Sequence, residues 1–431
     1  ACLVGSEMCI RDSSGTKTLS TALPANSLND LVTIQNAAIL DVANNDFSGT
    51  SALDMTGTSR FRMSLLNTTL PQLTGTYTLT GGTVELYGSG AGQTHSLRGT
   101  VTYNNVELNS TAASVAATQA NVVAGAGFGL RGTMTVQSPT CFQLGSAFTI
   151  TDAGTSSFVL AAGSTLKYGG TIDASGATGN IQTDTRTFPT TASYGFVGSA
   201  TPQVAGTGLP ASMVNMYLDK ATATDQVTIA ANRAVSNQLV LGTGIFNTGA
   251  NILSVTNTAT TAITGASANS FVSGRLNRSL PSSLVTGSTY DFPVGKVAPV
   301  TYLPASLVNP TTGAGAVTVT MEAFNAGSGG TPDPNSVGTL SATEYWSLAA
   351  TGNFNGSQFT LARPTAVAPL SSIARSTTTA TGTYVFIAGT PSGNQIQNSN
   401  FSAGNTQFLA FALPVAPPTI TTVVPTSPVF A

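Results

Sequence analysis

The chain has 431 residues, with 15 Lys+Arg against 17 Asp+Glu, and only 7% of it is charged, against about a quarter in an ordinary soluble domain. Ser and Thr together make up roughly a quarter of the sequence, well above average usage. This composition excludes a nucleic-acid binder held by phosphate contacts, its single His excludes a His-rich metal centre, and no apolar run has the length of a membrane-spanning helix.

The chain opens on a segment unlike the rest. Leu3-Val-Gly-Ser-Glu-Met-Cys-Ile-Arg-Asp-Ser13 resembles the in-frame translation of a transposon-type sequencing adapter. Residues 1–13 are therefore set aside as an artefact of assembled environmental DNA, and the chain is read as a metagenomic fragment. Cys2 and Cys9 leave with that segment, so Cys141 has no internal disulfide partner and is expected to be a small buried side chain.

Residues 14–268 alternate apolar residues with Thr in short runs: Leu31-Val-Thr-Ile34, Gly75-Thr-Tyr-Thr-Leu79, Thr83-Val-Glu-Leu-Tyr87, Gly132-Thr-Met-Thr-Val136 and Asn237-Gln-Leu-Val-Leu241. Alternation rich in β-branched residues predicts strands, and Gly, Asn, Asp and Ser between the runs predict turns. The Ala-rich stretch 113–126 is read as turns between strands. The sequence also repeats. Gly88-Ser-Gly-Ala-Gly-Gln93 aligns with Gly198-Ser-Ala-Thr-Pro-Gln203, and Asn105-Val-Glu-Leu108 then aligns with Asn215-Met-Tyr-Leu218 without a gap. Strands recurring roughly every 10 residues predict coils of about 20–25 residues. The scarcity of charge fits such coils: stacked equivalents lie about 4.8 Å apart, where like charges repel and Thr, Ser, Asn or Val ladders do not. An array of antiparallel sandwiches is the alternative this pattern leaves open.

From 269 to 413 the predicted strands are longer and more aromatic: Tyr290-Asp-Phe-Pro-Val-Gly-Lys296, Val317-Thr-Val-Thr-Met-Glu322, Glu344-Tyr-Trp-Ser347, Gln358-Phe-Thr-Leu361, Gly382-Thr-Tyr-Val-Phe-Ile387 and Gln407-Phe-Leu-Ala-Phe411. They predict an antiparallel sandwich with Trp346 at its core. Residues 414–431, with Pro417, Pro418, Pro425 and Pro428, read as a stiff linker or the start of a further domain.

Residues 74–90, ending Gly-Gly-Thr-Val-Glu-Leu-Tyr-Gly-Ser-Gly, together with Val101-Thr-Tyr-Asn-Asn-Val-Glu-Leu108, resemble a recurrent coil of large secreted surface proteins. These are adhesin-like repeat proteins of Bacteroidota-type bacteria that use type IX secretion. Asn269-Ser-Phe-Val-Ser-Gly-Arg275 and Tyr290-Asp-Phe-Pro-Val-Gly-Lys296 resemble the same proteins' junction into a sandwich. Pro418-Thr-Ile-Thr-Thr-Val-Val-Pro-Thr-Ser427 resembles the opening strand of an IPT/TIG immunoglobulin-like domain. The resemblance implies an extracellular or cell-surface protein, its signal peptide and sorting domain lost by truncation, and brings no catalytic residues with it.

Motifs that carry chemistry elsewhere have plainer readings here. Gly127-Phe-Gly-Leu-Arg-Gly132 fits a dinucleotide-binding pattern, but a strand-like run follows where a helix is needed. Gly295-Lys296 lacks the rest of a phosphate-binding loop. His95 lies in a Gly/Ser/Thr-rich stretch and reads as a solvated loop residue. Glu85 and Glu107 are a candidate carboxylate pair on adjacent coils, otherwise isolated outward side chains. Asp41, Asp46 and Asp54 are candidate calcium ligands or loop caps. Arg60 and Arg62 share a face if they lie in a strand, and are a candidate contact for anionic sugars or part of a solvated face.

The sequence thus predicts an all-β chain, a right-handed parallel β-solenoid (β-helix) followed by an antiparallel β-sandwich. The expected role is a non-catalytic stalk displaying or spacing binding modules, with surface polysaccharide or other extracellular glycans as partners. No nucleic acid, cofactor, metal or catalytic residue is assigned. The alternatives are a polysaccharide lyase or glycoside hydrolase on a β-helix, or a carbohydrate-binding sandwich, which would need a row of exposed Tyr or Phe.

Overall fold

The computed structural model describes residues 2–4, 7–10, 15–65, 69–88, 95–109, 122–124, 127–399 and 401–415. Strands account for 54% of the chain, which winds into a parallel β-solenoid of about 11 turns and then forms antiparallel sheets. Among the described residues the one helical element is a single 3-10 turn, Thr260–Ala262.

Each turn of the solenoid lays short strands on up to three faces. The first face runs through Leu31–Ile34, Ala52–Met55 and Tyr77–Leu79, and resumes as Thr102–Tyr103, Phe128–Leu130, Ile150–Asp152 and Ile181–Gln182. The second is an eight-stranded parallel sheet from Thr16–Thr18 to Thr185–Thr187. The third starts at Thr69–Leu70 and runs through His95–Leu97, Cys141–Leu144 and Thr165–Tyr168 to Ser270–Leu280. On the second face Ile39 pairs with Arg60, Arg60 with Thr83 and Thr83 with Asn105, so a coil is about 22 residues long. Some later coils lengthen to about 28 residues, as where Val106 pairs with Met134, while others stay near 22, as where Tyr194 pairs with Met216.

Parallel pairing in register stacks like on like. Phe61, Val84, Val106, Met134 and Phe158 form one inward column; Met63, Leu86, Leu108, Val136 and Leu160 form the next. All ten are buried, and burying each such side chain contributes roughly 1.5–3 kcal/mol. Outward columns are mostly short polar side chains that bond along the axis: Thr133 Oγ1 to Ser157 Oγ at 2.8 Å, Asn237 Nδ2 to Asn215 Oδ1 at 2.7 Å and Asn215 Nδ2 to Ser193 Oγ at 3.0 Å.

The internal repeat has a structural meaning. In the first copy Thr83–Tyr87 pairs with Asn105–Asn109 one coil on; in the second, Ser193–Gly198 pairs with Ser212–Lys220, Tyr194 against Met216. The offset is the same in both, although the copies lie on different faces. Gly88 and Gly198 close the first strand at φ +65° and +75°, a left-handed conformation that favours glycine. In the second copy Gln203 Nε2 donates to the carbonyls of Tyr168 and Gly170 at 2.8 Å, while its Oε1 accepts from buried Lys220 Nζ at 2.7 Å. Burial pushes the Lys220 ammonium down to about 8. The equivalent Gln93 lies outside the described residues, as do most of 113–126 and the expected IPT/TIG strand at 418–427.

The segment read as adapter-derived is described in part. Cys2–Val4 and Glu7–Ile10 form a hairpin, and Glu7–Ile10 pairs in parallel with Leu31–Ile34.

Solenoid and sandwich share a strand. One edge of Ser270–Leu280 pairs in parallel with Arg233–Val255; its other edge pairs antiparallel with Val317–Phe324. The expected boundary at 268/269 is therefore a change of pairing sense within one continuous sheet. That sheet continues through Tyr345–Thr351 to Thr406–Pro414, and a second antiparallel sheet contains Thr289–Phe292, Ala305–Thr312 and Phe354–Ala362. A single hydrophobic cluster runs from Leu28 to Phe411. Trp346 is fully buried in it, edge-on to Phe411 at 5.2 Å, with its indole N–H donated to the Leu303 carbonyl at 2.9 Å.

Candidate functional site

The densest cluster of charge lies on the outside of the second face. In Arg60–Met63, alternation turns Phe61 and Met63 inward and Arg60 and Arg62 outward. Register then builds the column Asp41, Arg62, Glu85, Glu107. Glu85 and Glu107 are direct neighbours, a repulsive arrangement on its own. Arg60 resolves it: one guanidinium nitrogen lies 2.7 Å from Glu85 Oε2 and 2.6 Å from Glu107 Oε2. Arg62 bridges in the other direction, its Nε 2.8 Å from Glu85 and its Nη1 3.0 Å from Asp41. The Tyr87 hydroxyl donates to Asp41 at 2.7 Å, and the Arg62 guanidinium lies 4.5 Å over the Tyr87 ring. Gln137 closes the far end with a 3.0 Å bond to Glu107.

This network corrects the picture of isolated outward carboxylates and a solvated arginine face. Glu85 is only 3% exposed. Burial alone would push its carboxyl up, but hydrogen bonds from Arg62 and Arg60 outweigh burial and hold it below its ordinary 4.5. Chemically the cluster is an interleaved ladder of three carboxylates and two guanidiniums, one negative charge in excess. The nitrogen of Arg60 occupies the space between the carboxylates that a glycosidic bond would have to enter.

The other candidates separate. Asp41 belongs to the second face and Asp54 to the first, where it pairs with Thr33 and Thr78. No group of three His, Cys, Asp or Glu able to hold a metal occurs among the described residues. Gly127-Phe-Gly-Leu-Arg-Gly132 is strand, turn and strand, since Phe128–Leu130 is followed by Thr133–Val136. Lys296 lies in the strand Val294–Val297, paired to Glu322 at 2.7 Å and stacked on Phe324 at 4.5 Å. Cys141 is buried. On the sandwich, Phe324 and Tyr345 stack face to face at 4.4 Å, while Phe386 and Phe401 are exposed.

His95 is not in a solvated loop. It lies in the strand His95–Leu97, paired in parallel with Val122–Ala124 and next to Thr69–Leu70, and it is fully buried. Its Nδ1 is 3.0 Å from the Leu65 carbonyl. Burial pushes its pKa below the usual 6.5, against the opposing effect of the Leu65 and Tyr87 carbonyls. The unfolded chain therefore takes up this proton first, and stability is lost as pH falls below 6.5. Denaturant midpoints measured from pH 7 to 5 are expected to fall in the native chain and to stay flatter in His95→Gln. Equal slopes would contradict a buried neutral imidazole.

Sequence reasoning also missed the buried cations, Lys167, Lys220, Arg233 and Arg278. Arg278 is fully buried between the last coil and the sandwich, and Lys220 ends the strand Ser212–Lys220 of the second repeat copy. Arg278 and Lys220 have no local signal, since Arg278 is placed by the Ala259, Thr260 and Asp291 carbonyls and Lys220 by the Val197 carbonyl and Gln203 Oε1.

The chain matches no protein-family model, no curated protein and no solved structure. No helix among the described residues is long and apolar enough to cross a membrane.

Proposed function

We propose that this chain is a rigid, non-catalytic stalk from an adhesin-like extracellular surface protein of the type IX-secreted, Bacteroidota-type kind. The observation that carries this reading is the strand Ser270–Leu280, which passes from parallel pairing in the last coil to antiparallel pairing in the sandwich. A shared strand leaves no flexible linker between rod and module. About 11 turns at one strand spacing give a rod of about 50 Å before the sandwich begins. Stacked hydrogen bonds and side-chain columns resist bending, which suits a spacer that holds binding modules away from a surface. The alternative of a glycoside hydrolase needs two free carboxyl groups across a cleft, whereas Glu85 and Glu107 share one arginine on one sheet.

Two measurements on the purified chain test this. Small-angle scattering is expected to give a radius of gyration of about 28 Å, against about 22 Å for a compact globule of this length. Incubation with plant, algal and bacterial polysaccharides is expected to release no reducing sugar or unsaturated product. Release above that of buffer would sink the stalk reading.

A further inference from the structure

The first face is interrupted once. Tyr77–Leu79 ends one parallel sheet and Thr102–Tyr103 begins the next. At that break the surface opens into a concavity of about 440 Å³, within the range of ligand sites. One wall is a run of threonines at alternate positions, Thr74, Thr76, Thr78 and Thr80, all exposed. Thr100 and Thr102 of the next coil face them. A second concavity shares Thr100 and Thr102 and extends past Gly129 to Thr149 and Thr151. Gly129 leaves a notch in the column Thr102, Gly129, Thr151, so the trough continues along the rod.

Two arginines line this trough and no carboxylate does. Arg98 is fixed in place: its Nε donates to the Pro71 carbonyl at 2.6 Å and its Nη2 to the Gln72 carbonyl at 3.3 Å. Arg131 is exposed, and among the described residues its side chain has no hydrogen bond or ion pair. Arg60, Arg62, Lys296 and Arg363 hold carboxylates, Arg186, Arg278 and Arg375 are taken up by carbonyls, and Asp54, beside Thr78 in register, lies outside the lining. In a chain this poor in charge, two arginines without carboxylate partners around one polar trough form a cationic site.

We propose that the trough binds a strand of anionic polysaccharide. Arg98 and Arg131 would hold its carboxylate or sulfate groups, for which a guanidinium fork is suited, and the threonines would exchange hydrogen bonds with its hydroxyls. The lining holds no carboxylate or imidazole, and the Tyr77 hydroxyl is donated to the Leu73 carbonyl, which favours holding the saccharide over cleaving it. The proposal takes its setting, a surface-displayed rod, from the reading above, but its test does not depend on that reading. Single-site affinity is modest, and many copies on one surface raise it through avidity.

The test is calorimetric titration of the whole chain with three size-defined probes: oligogalacturonate (carboxylated), carrageenan oligosaccharide (sulfated) and agarose oligosaccharide (neutral), with sodium sulfate as the free-ion control. At least one anionic oligosaccharide is expected to bind, and agarose oligosaccharide and sulfate to bind at least tenfold more weakly. Arg131→Gln is expected to raise Kd about tenfold without moving the melting temperature, because that side chain is exposed. Lys17→Gln removes the same charge from an exposed strand away from the trough and is expected to leave Kd unchanged. Equal binding of the neutral oligosaccharide, unchanged affinity in Arg131→Gln, or equal losses in both variants would overturn the proposal. Such a failure would leave the rod dimensions and the absence of sugar release unaffected, so the two readings fail separately.

Discussion

Arg278→Met is expected to destabilise the chain by about 3 kcal/mol, because it removes three charge-assisted hydrogen bonds made by one buried side chain across the junction. Arg278 is fully buried at the junction. Its Nη1 donates to the Asp291 carbonyl of the sandwich at 3.0 Å; its Nη2 donates to the Ala259 and Thr260 carbonyls, at the end of the last coil, at 2.8 and 3.1 Å. The guanidinium also packs 5.1 Å from the Tyr290 ring, whose hydroxyl donates to the Thr258 carbonyl at 3.2 Å. Burial pushes the guanidinium down to about 10, so it stays charged at neutral pH, partly supported by Asp291 and Tyr290. Met replaces only the apolar stem, is shorter and cannot donate, so the Asp291, Ala259 and Thr260 carbonyls lose their protein donor. Arg278→Lys is expected to recover only part of the loss, since an ammonium lacks the planar fork that reaches all three. Urea denaturation of the three proteins checks this, and an unchanged midpoint in Arg278→Met would remove the junction's proposed rigidity.

Glu85→Gln is expected to lower stability at pH 7 by about 2 kcal/mol, below the usual cost of breaking a fully buried pair. The discount follows from exposure: the Arg60 and Arg62 side chains are 33% and 29% exposed and partly screened. The pH dependence gives a sharper signature. Because the Glu85 carboxyl is held below 4.5 in the folded chain, its contribution is complete above that value and lost as pH falls through the lower folded value. The native chain should therefore lose stability below pH 4.5 more steeply than Glu85→Gln, and the two curves should converge at the acid end. Parallel curves would show that the ladder contributes nothing to stability. This window lies below that of His95, so the two titrations can be separated.

The columns of the solenoid explain the composition. Where outward positions stack on themselves, Thr, Ser and Asn bond along the axis. Glu85 lies on Glu107 only because Arg60 sits between them. Charge is tolerated in such a column only when signs interleave, which few positions achieve.

Local pattern alone determined much of this protein. The strand Thr83–Tyr87 has the bounds its alternation predicts. Trp346 is the core anchor its context suggests, and the offset between Asn105 and Asn215 marks a true structural repeat. Strand identity and coil spacing depend on neighbours two to five residues apart, so one sequence carries them. Leu97-Arg98-Gly99-Thr100 recurs as Leu130-Arg131-Gly132-Thr133, a local sign of the two arginines at the trough that only their shared concavity makes meaningful. Tertiary structure decided the rest. His95 is buried because strands on either side pair with it, despite a loop-like local composition. Arg60 and Glu107 meet across 47 positions, and Arg278 meets Ala259 and Asp291, because coil register and the shared strand bring them together. Those distances are set by how many residues each turn happens to contain, and a single sequence does not encode that count locally.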